Sequence, residues 1–133
     1  MYGVQIKHFN ISQKFDLSSK SNLILDCDYS YNENDLNLVI RWFYKNRTEP
    51  IYQWLPEIKS RDVAEDFKSS FNMNYVTDVA DPYTMFRAVN IFKPKLNMSG
   101  KYSCRISSLV NDVLREGYVY IYGKCNLFKC IYY

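Results

Sequence analysis

The thiols of Cys27, Cys104, Cys125 and Cys130 are the most reactive side chains in this 133-residue sequence, and their spacing limits what they can do. Cys27 and Cys104 stand 77 residues apart (104 − 27), nothing like the Cys-x-x-Cys spacing of a dithiol that shuttles electrons. A structural role suits them better. Zinc is disfavoured as well, because the pair Cys125 and Cys130 has no second pair of ligands to complete a tetrahedral site. The single histidine, His8, lies near a terminus and reads as a strand-surface residue rather than a general base. No Gly-x-Ser-x-Gly, metal-binding Cys/His spacing or Gly-rich phosphate loop occurs. The expectation is therefore no catalytic residue, no metal and no cofactor: not an enzyme.

The elements that carry these residues follow a two-residue period. Residues 23–29 put Leu23, Leu25, Cys27 and Tyr29 on one face and Asp26 and Asp28 on the other. Residues 38–45 turn Ile40, Trp42 and Tyr44 inward and Arg41, Phe43 and Lys45 outward. Residues 101–106 turn Tyr102, Cys104 and Ile106 inward and Lys101, Ser103 and Arg105 outward. Three half-buried strands thus agree on one core. With 47% hydrophobic residues, and glycine and proline at only 4 each, the chain has material for one compact domain and no low-complexity tract. We assign that domain to residues 1–123, with 124–133 left as an unassigned C-terminal tail.

Cys27, a tryptophan 15 residues later (42 − 27) and a Tyr-x-Cys at Tyr102–Cys104 resemble the centre of an immunoglobulin sandwich. The resemblance implies an all-β, Greek-key β-sandwich of two packed antiparallel sheets. Cys27 and Cys104 would form a disulfide between the sheets, Trp42 would cover it in the core, and Tyr102 would fix the corner before the second cysteine strand. Closing a 77-residue loop is worth about 4.5 kcal/mol in the chain-entropy model.

Such bridges persist in oxidising compartments, so the expected location is extracellular, secreted or at the cell surface, with signal and anchor segments not present in this fragment. The first seven residues lack the apolar stretch of a secretory signal, which taken literally would put the domain in the cytosol, where a reduced, muscle-type immunoglobulin domain is the alternative. Three N-glycosylation sequons, at Asn10, Asn46 and Asn97, favour the outside; composition alone would give about one. No apolar run is long enough to span a membrane, so a membrane would be reached only through segments absent from this chain. The net charge of +3 comes from scattered basic residues, and nucleic acid is not an expected partner.

Between Trp42 and Cys104 there is room for the extra strands of a variable-type (V-set) domain. Residues 51–55 read as the hairpin partner of the tryptophan strand, and 56–68 as a loop with at most a short edge strand. Phe71, Met73 and Tyr75 alternate as an inward-facing strand, and Tyr83 to Phe92 read as the next one, aiming Val89 and Ile91 at the core. Within the V-set, the segments 41–44 (Arg-Trp-Phe-Tyr), 50–56 (Pro-Ile-Tyr-Gln-Trp-Leu-Pro) and 81–88 (Asp-Pro-Tyr-Thr-Met-Phe-Arg-Ala) resemble arthropod cell-surface proteins related to the beaten path guidance receptors. Proteins of that group continue into a second immunoglobulin domain and an anchor or secreted end. One departure is Met98, which stands where V-set domains carry an aspartate. The resemblance then implies that the family's buried Asp–Arg pair is absent and that Met98 packs apolar in its place.

Residues 117–122 bury Val119 and Ile121 and leave Tyr118 and Tyr120 outward, beside the face carrying Arg41, Phe43, Lys45 and Arg105. Exposed aromatics next to arginine are the composition of interface hot spots. The expected function is an extracellular recognition module, contacting another immunoglobulin-like cell-surface protein, homophilically or heterophilically, through this face in cell adhesion or axon guidance. The alternatives are a structural spacer of a multi-immunoglobulin protein and an immune-type receptor domain. Cys125 and Cys130 could close a small local disulfide, pair with a missing segment, or belong to a truncated end.

Overall fold

The computed structural model describes residues 3–125 and 130–132, with backbone alone for 124, 125 and 130–132. Among these residues ten strands form two packed sheets. The smaller sheet has the order β1 (Gln5–Asn10), β3 (Leu23–Ser30), β7 (Val89–Ile91). The larger runs β10 (Cys130–Tyr132), β9 (Asp112–Cys125), β8 (Gly100–Ser107), β4 (Val39–Tyr44), β5 (Tyr52–Leu55), β6 (Ser60–Val63). A short strand, β2 (Lys14–Asp16), pairs parallel with β9, so the chain crosses from one sheet to the other between Asn10 and Lys14. That crossing is tight. A Cβ added at Gly117 of β9 would lie 2.6 Å from Ile11 Cδ1 and 3.3 Å from Phe9, so a larger residue there would have to displace the Ile11 side chain of the crossing segment.

The alternation read from sequence places the core correctly. Leu23, Leu25, Cys27 and Tyr29 of β3, and Ile40, Trp42 and Tyr44 of β4, are buried. So are Tyr102, Cys104 and Ile106 of β8, and Val119 and Ile121 of β9. As expected, β5 is the hairpin partner of the tryptophan strand β4, and within residues 56–68 the only strand is the short β6, paired with β5. Residues 56–58 form a 3-10 turn, and a one-turn helix, α1 (Glu65–Lys68), follows β6 and buries Phe67. The domain boundary assigned at residue 123 falls inside β9, and β10 pairs back on β9 with Cys130 opposite Cys125. The side chains that would decide a Cys125–Cys130 disulfide lie outside the described residues.

Two strand expectations are corrected. Residues 71–75 form no strand: Phe71 is buried and makes one isolated bridge to Ile91, while Met73 and Tyr75 are only half-buried. Asn72 N–H donates to Asn90 O (2.8 Å) and Phe92 N–H to Ser70 O (2.9 Å), after which the segment turns away. Of residues 83–92, only Val89–Ile91 is strand. The preceding turns are held by the polar tips of core side chains instead of by a ladder. Trp42 Nε1 donates to Arg87 O (2.8 Å), Tyr52 Oη to Phe86 O (2.7 Å), and Tyr29 Oη to Tyr83 O, while Tyr31 Oη donates to the Asp81 carboxylate. The first three bonds satisfy a buried hydroxyl or indole N–H while fixing a backbone carbonyl.

Candidate functional site

Cys27 and Cys104 form the disulfide between the sheets, with Cα atoms 6.5 Å apart. Trp42 pairs across the ladder with Cys104, is fully buried, and stacks on Phe9 at 6.0 Å between centroids. Tyr102 Oη donates to Met98 O four residues upstream, which closes the corner before β8. Met98 is buried, as expected for an apolar replacement of the aspartate. Arg87, which the expectation did not name, has carboxylate partners of its own, supplied by β3 and not by position 98. Its Nε and Nη2 bind Asp26 at 2.8 and 3.1 Å, and its Nη1 lies 3.3 Å from Asp28. Burial works against the guanidinium charge, but these carboxylates outweigh it and hold the arginine pKa above its usual value.

The outward face of β5, β4, β8 and β9 is the candidate binding surface. Arg41 stands opposite Arg105, which stands opposite Leu114; in the next row Phe43 faces Ser103 and Glu116. Arg105 is neutralised by Asp112 at 3.0 Å, and Lys101 lies 3.6 Å from Glu116. Arg41 has no acidic partner among the described residues; its Nε donates to Gln53 Oε1 at 2.7 Å. The face therefore holds one uncompensated cation beside half-buried Phe43 and exposed Leu114. Tyr118 and Tyr120 are exposed and stack on each other at 5.9 Å, on the same face toward the opposite end from Leu114.

Lys45 leaves this group. It lies past the end of β4 in a left-handed turn (φ 56°), and its ammonium sits 5.2 Å over the Tyr44 ring instead of joining the strip of Arg41 and Phe43. Ser103 points outward yet is buried by its neighbours. All three sequon asparagines are exposed; Asn46 accepts a hydrogen bond from Lys101 Nζ (3.1 Å).

Sequence reasoning passed over Leu114 and the loops at one end of the sandwich. Leu109 N–H donates to Leu36 O (2.9 Å) and Asn37 N–H to Glu57 Oε1 (2.8 Å), which joins loops 31–38, 56–59 and 108–111. These loops expose Leu36, Ile58, Leu109 and Val110, each at least half accessible. Asn46 and Asn97, at the far ends of β4 and β8, lie at the opposite pole. The signal was an apolar Leu-Val pair inside a polar turn, Ser107-Ser108-Leu109-Val110-Asn111-Asp112.

Among the described residues no cluster of His, Cys, Asp and Glu could hold a metal ion, and no helix is long and apolar enough to cross a membrane. No family model matches the chain, and neither does any curated protein. Solved structures do match. The human B7-H4 IgV-like domain superposes with a TM-score of 0.60 at 14% identity, covering 92% of this chain and 98% of that one. The murine CRIg structure superposes with a TM-score of 0.61 at 11% identity, with the same coverage of each chain. Together with the inter-sheet disulfide, the buried tryptophan and the additional β5–β6 hairpin, this defines the fold as an immunoglobulin V-type β-sandwich.

Proposed function

We propose that this domain is an extracellular recognition module that binds another immunoglobulin-like cell-surface protein through the outward face of β4, β8 and β9. The reading rests on one observation: Arg41, a cation with no acidic partner among the described residues, is set among Phe43, Leu114 and the Asp112-paired Arg105 on the outward face. A partner that places a carboxylate against Arg41 and an apolar side chain against Phe43 and Leu114 gains both a charge-assisted hydrogen bond and apolar burial. The bridge between Cys27 and Cys104 and the exposed sequons at Asn10, Asn46 and Asn97 support an oxidising, extracellular location. The process is cell adhesion or axon guidance, as the resemblance to the arthropod guidance group implies.

A cell-surface protein screen supplies the partner, and Arg41→Ala, Phe43→Ala, Arg105→Ala and Tyr120→Ala are then measured for binding alongside their melting curves. The expected loss is about 1–2 kcal/mol or more in binding, with stability within about 1 kcal/mol of the parent. Normal binding by these variants together with loss on Leu36→Ser or Leu109→Ser moves the contact to the loop end. A folded wild-type domain that captures no surface protein favours the spacer role.

A further inference from the structure

We propose that the cavity beneath the β5–β6 hairpin is a binding site for a small apolar molecule ending in one carboxylate or sulfonate. The cavity is about 320 Å³ and is lined by Trp54, Pro56, Met85 and Phe86, with Lys59 and Arg61 among them. That volume is at the small end of ligand sites, which are mostly apolar with a few placed polar groups. Arg61 stands directly opposite Trp54 in the β5–β6 ladder. Phe86 is held between the two, edge-on to Trp54 at 5.8 Å and with the Arg61 guanidinium 3.8 Å from its centroid. Lys59 closes the 56–58 turn in a left-handed conformation, its N–H bonded to Pro56 O, which carries its side chain to the same cavity.

Charge selects the ligand. Among the described residues neither Lys59 nor Arg61 ion-pairs with a carboxylate. The Tyr52 hydroxyl near Arg61 cannot neutralise it, because burial pushes its pKa up to about 12 against the pull of that guanidinium. Two cations beside apolar walls fit an anion with an apolar body. Other cavities differ: the one beside Tyr44 has its Arg47 paired to Asp66 at 2.6 Å, and the one beside Tyr31 is lined by Glu33, Asp35 and Glu57.

The site shares no residue with the sheet face, so either can fail without the other. Naphthoate, with neutral naphthamide as its comparison, is titrated into the isotope-labelled 133-residue protein and followed by heteronuclear NMR and calorimetry. The expected result is a shift of the Trp54 indole N–H and binding about tenfold tighter for naphthoate than for naphthamide. Lys59→Gln and Arg61→Gln each weaken naphthoate binding severalfold, and Met85→Trp, which fills the cavity, abolishes it. Lys59 is exposed, so its variant keeps the parent melting temperature and separates charge from folding. No shift at millimolar naphthoate, equal affinity for the two probes, or full binding by both charge variants overturns the proposal.

Discussion

Replacing Arg87 with methionine tests whether the clamp between β3 and the irregular segment before β7 stabilises the domain. The guanidinium is 12% exposed and engages two carboxylates that are themselves only 21% and 24% exposed. Removing one partner of a fully buried pair costs about 3–5 kcal/mol, because the other charge is left desolvated. Here water still reaches Asp26 and Asp28, Lys7 remains 3.8 Å from Asp28, and Asp26 keeps the bond from Cys27 N–H. A loss of about 2–3 kcal/mol is therefore expected for Arg87→Met, below the buried limit. Asp26→Asn retains the shape and an acceptor for Cys27 N–H, so Arg87→Met combined with Asp26→Asn should cost less than the two single losses summed. The assay is urea unfolding of the oxidised protein, followed by near-ultraviolet circular dichroism, across the full double-mutant cycle. Strict additivity, or a loss under about 0.5 kcal/mol for Arg87→Met, would refute the clamp and leave the arginine as a surface residue.

Other outcomes follow from the same geometry. Replacing Cys27 or Cys104 with alanine should destabilise the domain by about 2–5 kcal/mol, and thiol titration of the folded parent should find neither sulfur free. Trp42→Ala should cost about 3–5 kcal/mol in chemical unfolding, since it also orphans the Arg87 carbonyl. Tyr102→Phe should lower stability by about 1–2 kcal/mol by leaving the Met98 carbonyl without its donor. The hydrogen bonds and charge of Arg47 hold the Asp66 carboxyl below its usual pKa. That contribution is complete above the unfolded carboxyl pKa and is lost as pH falls through the lowered one. Because both side chains are well exposed, it should be within about 1 kcal/mol, read as a smaller acid destabilisation in Asp66→Asn than in the parent.

The sandwich was legible wherever a strand had one buried and one wet face, because alternation then encodes burial directly. That covers β3, β4, β8 and the Val119–Ile121 stretch of β9, and with them the disulfide and its tryptophan. The same rule misled at Phe71, Met73 and Tyr75, where apolar side chains alternate in a segment that wraps the side of the sandwich without a ladder. Residues 83–88 were misread for a related cause: their carbonyls are fixed by Trp42, Tyr52 and Tyr29, and no local pattern reports a bond made by a distant side chain. Arg87 found its carboxylates 61 and 59 positions away on β3 (87 − 26 and 87 − 28), so substituting Met98 for the usual aspartate gave no hint of them. On the binding face, parity gave the direction of Arg41, Phe43 and Arg105 but not their charge balance. The left-handed turn that removes Lys45 from the strip depends on a backbone conformation that parity does not describe.

The three-residue strand β7 would, with a bare outer edge, offer its backbone to a strand from a second chain. Residues 70–72 occupy that edge with one bridge and two hydrogen bonds, and then depart before a ladder can extend. A sheet edge closed this way resists both strand addition by a peptide ligand and edge-to-edge aggregation. Partners that meet the smaller sheet along β7 must therefore read its side chains, because its main chain is already taken.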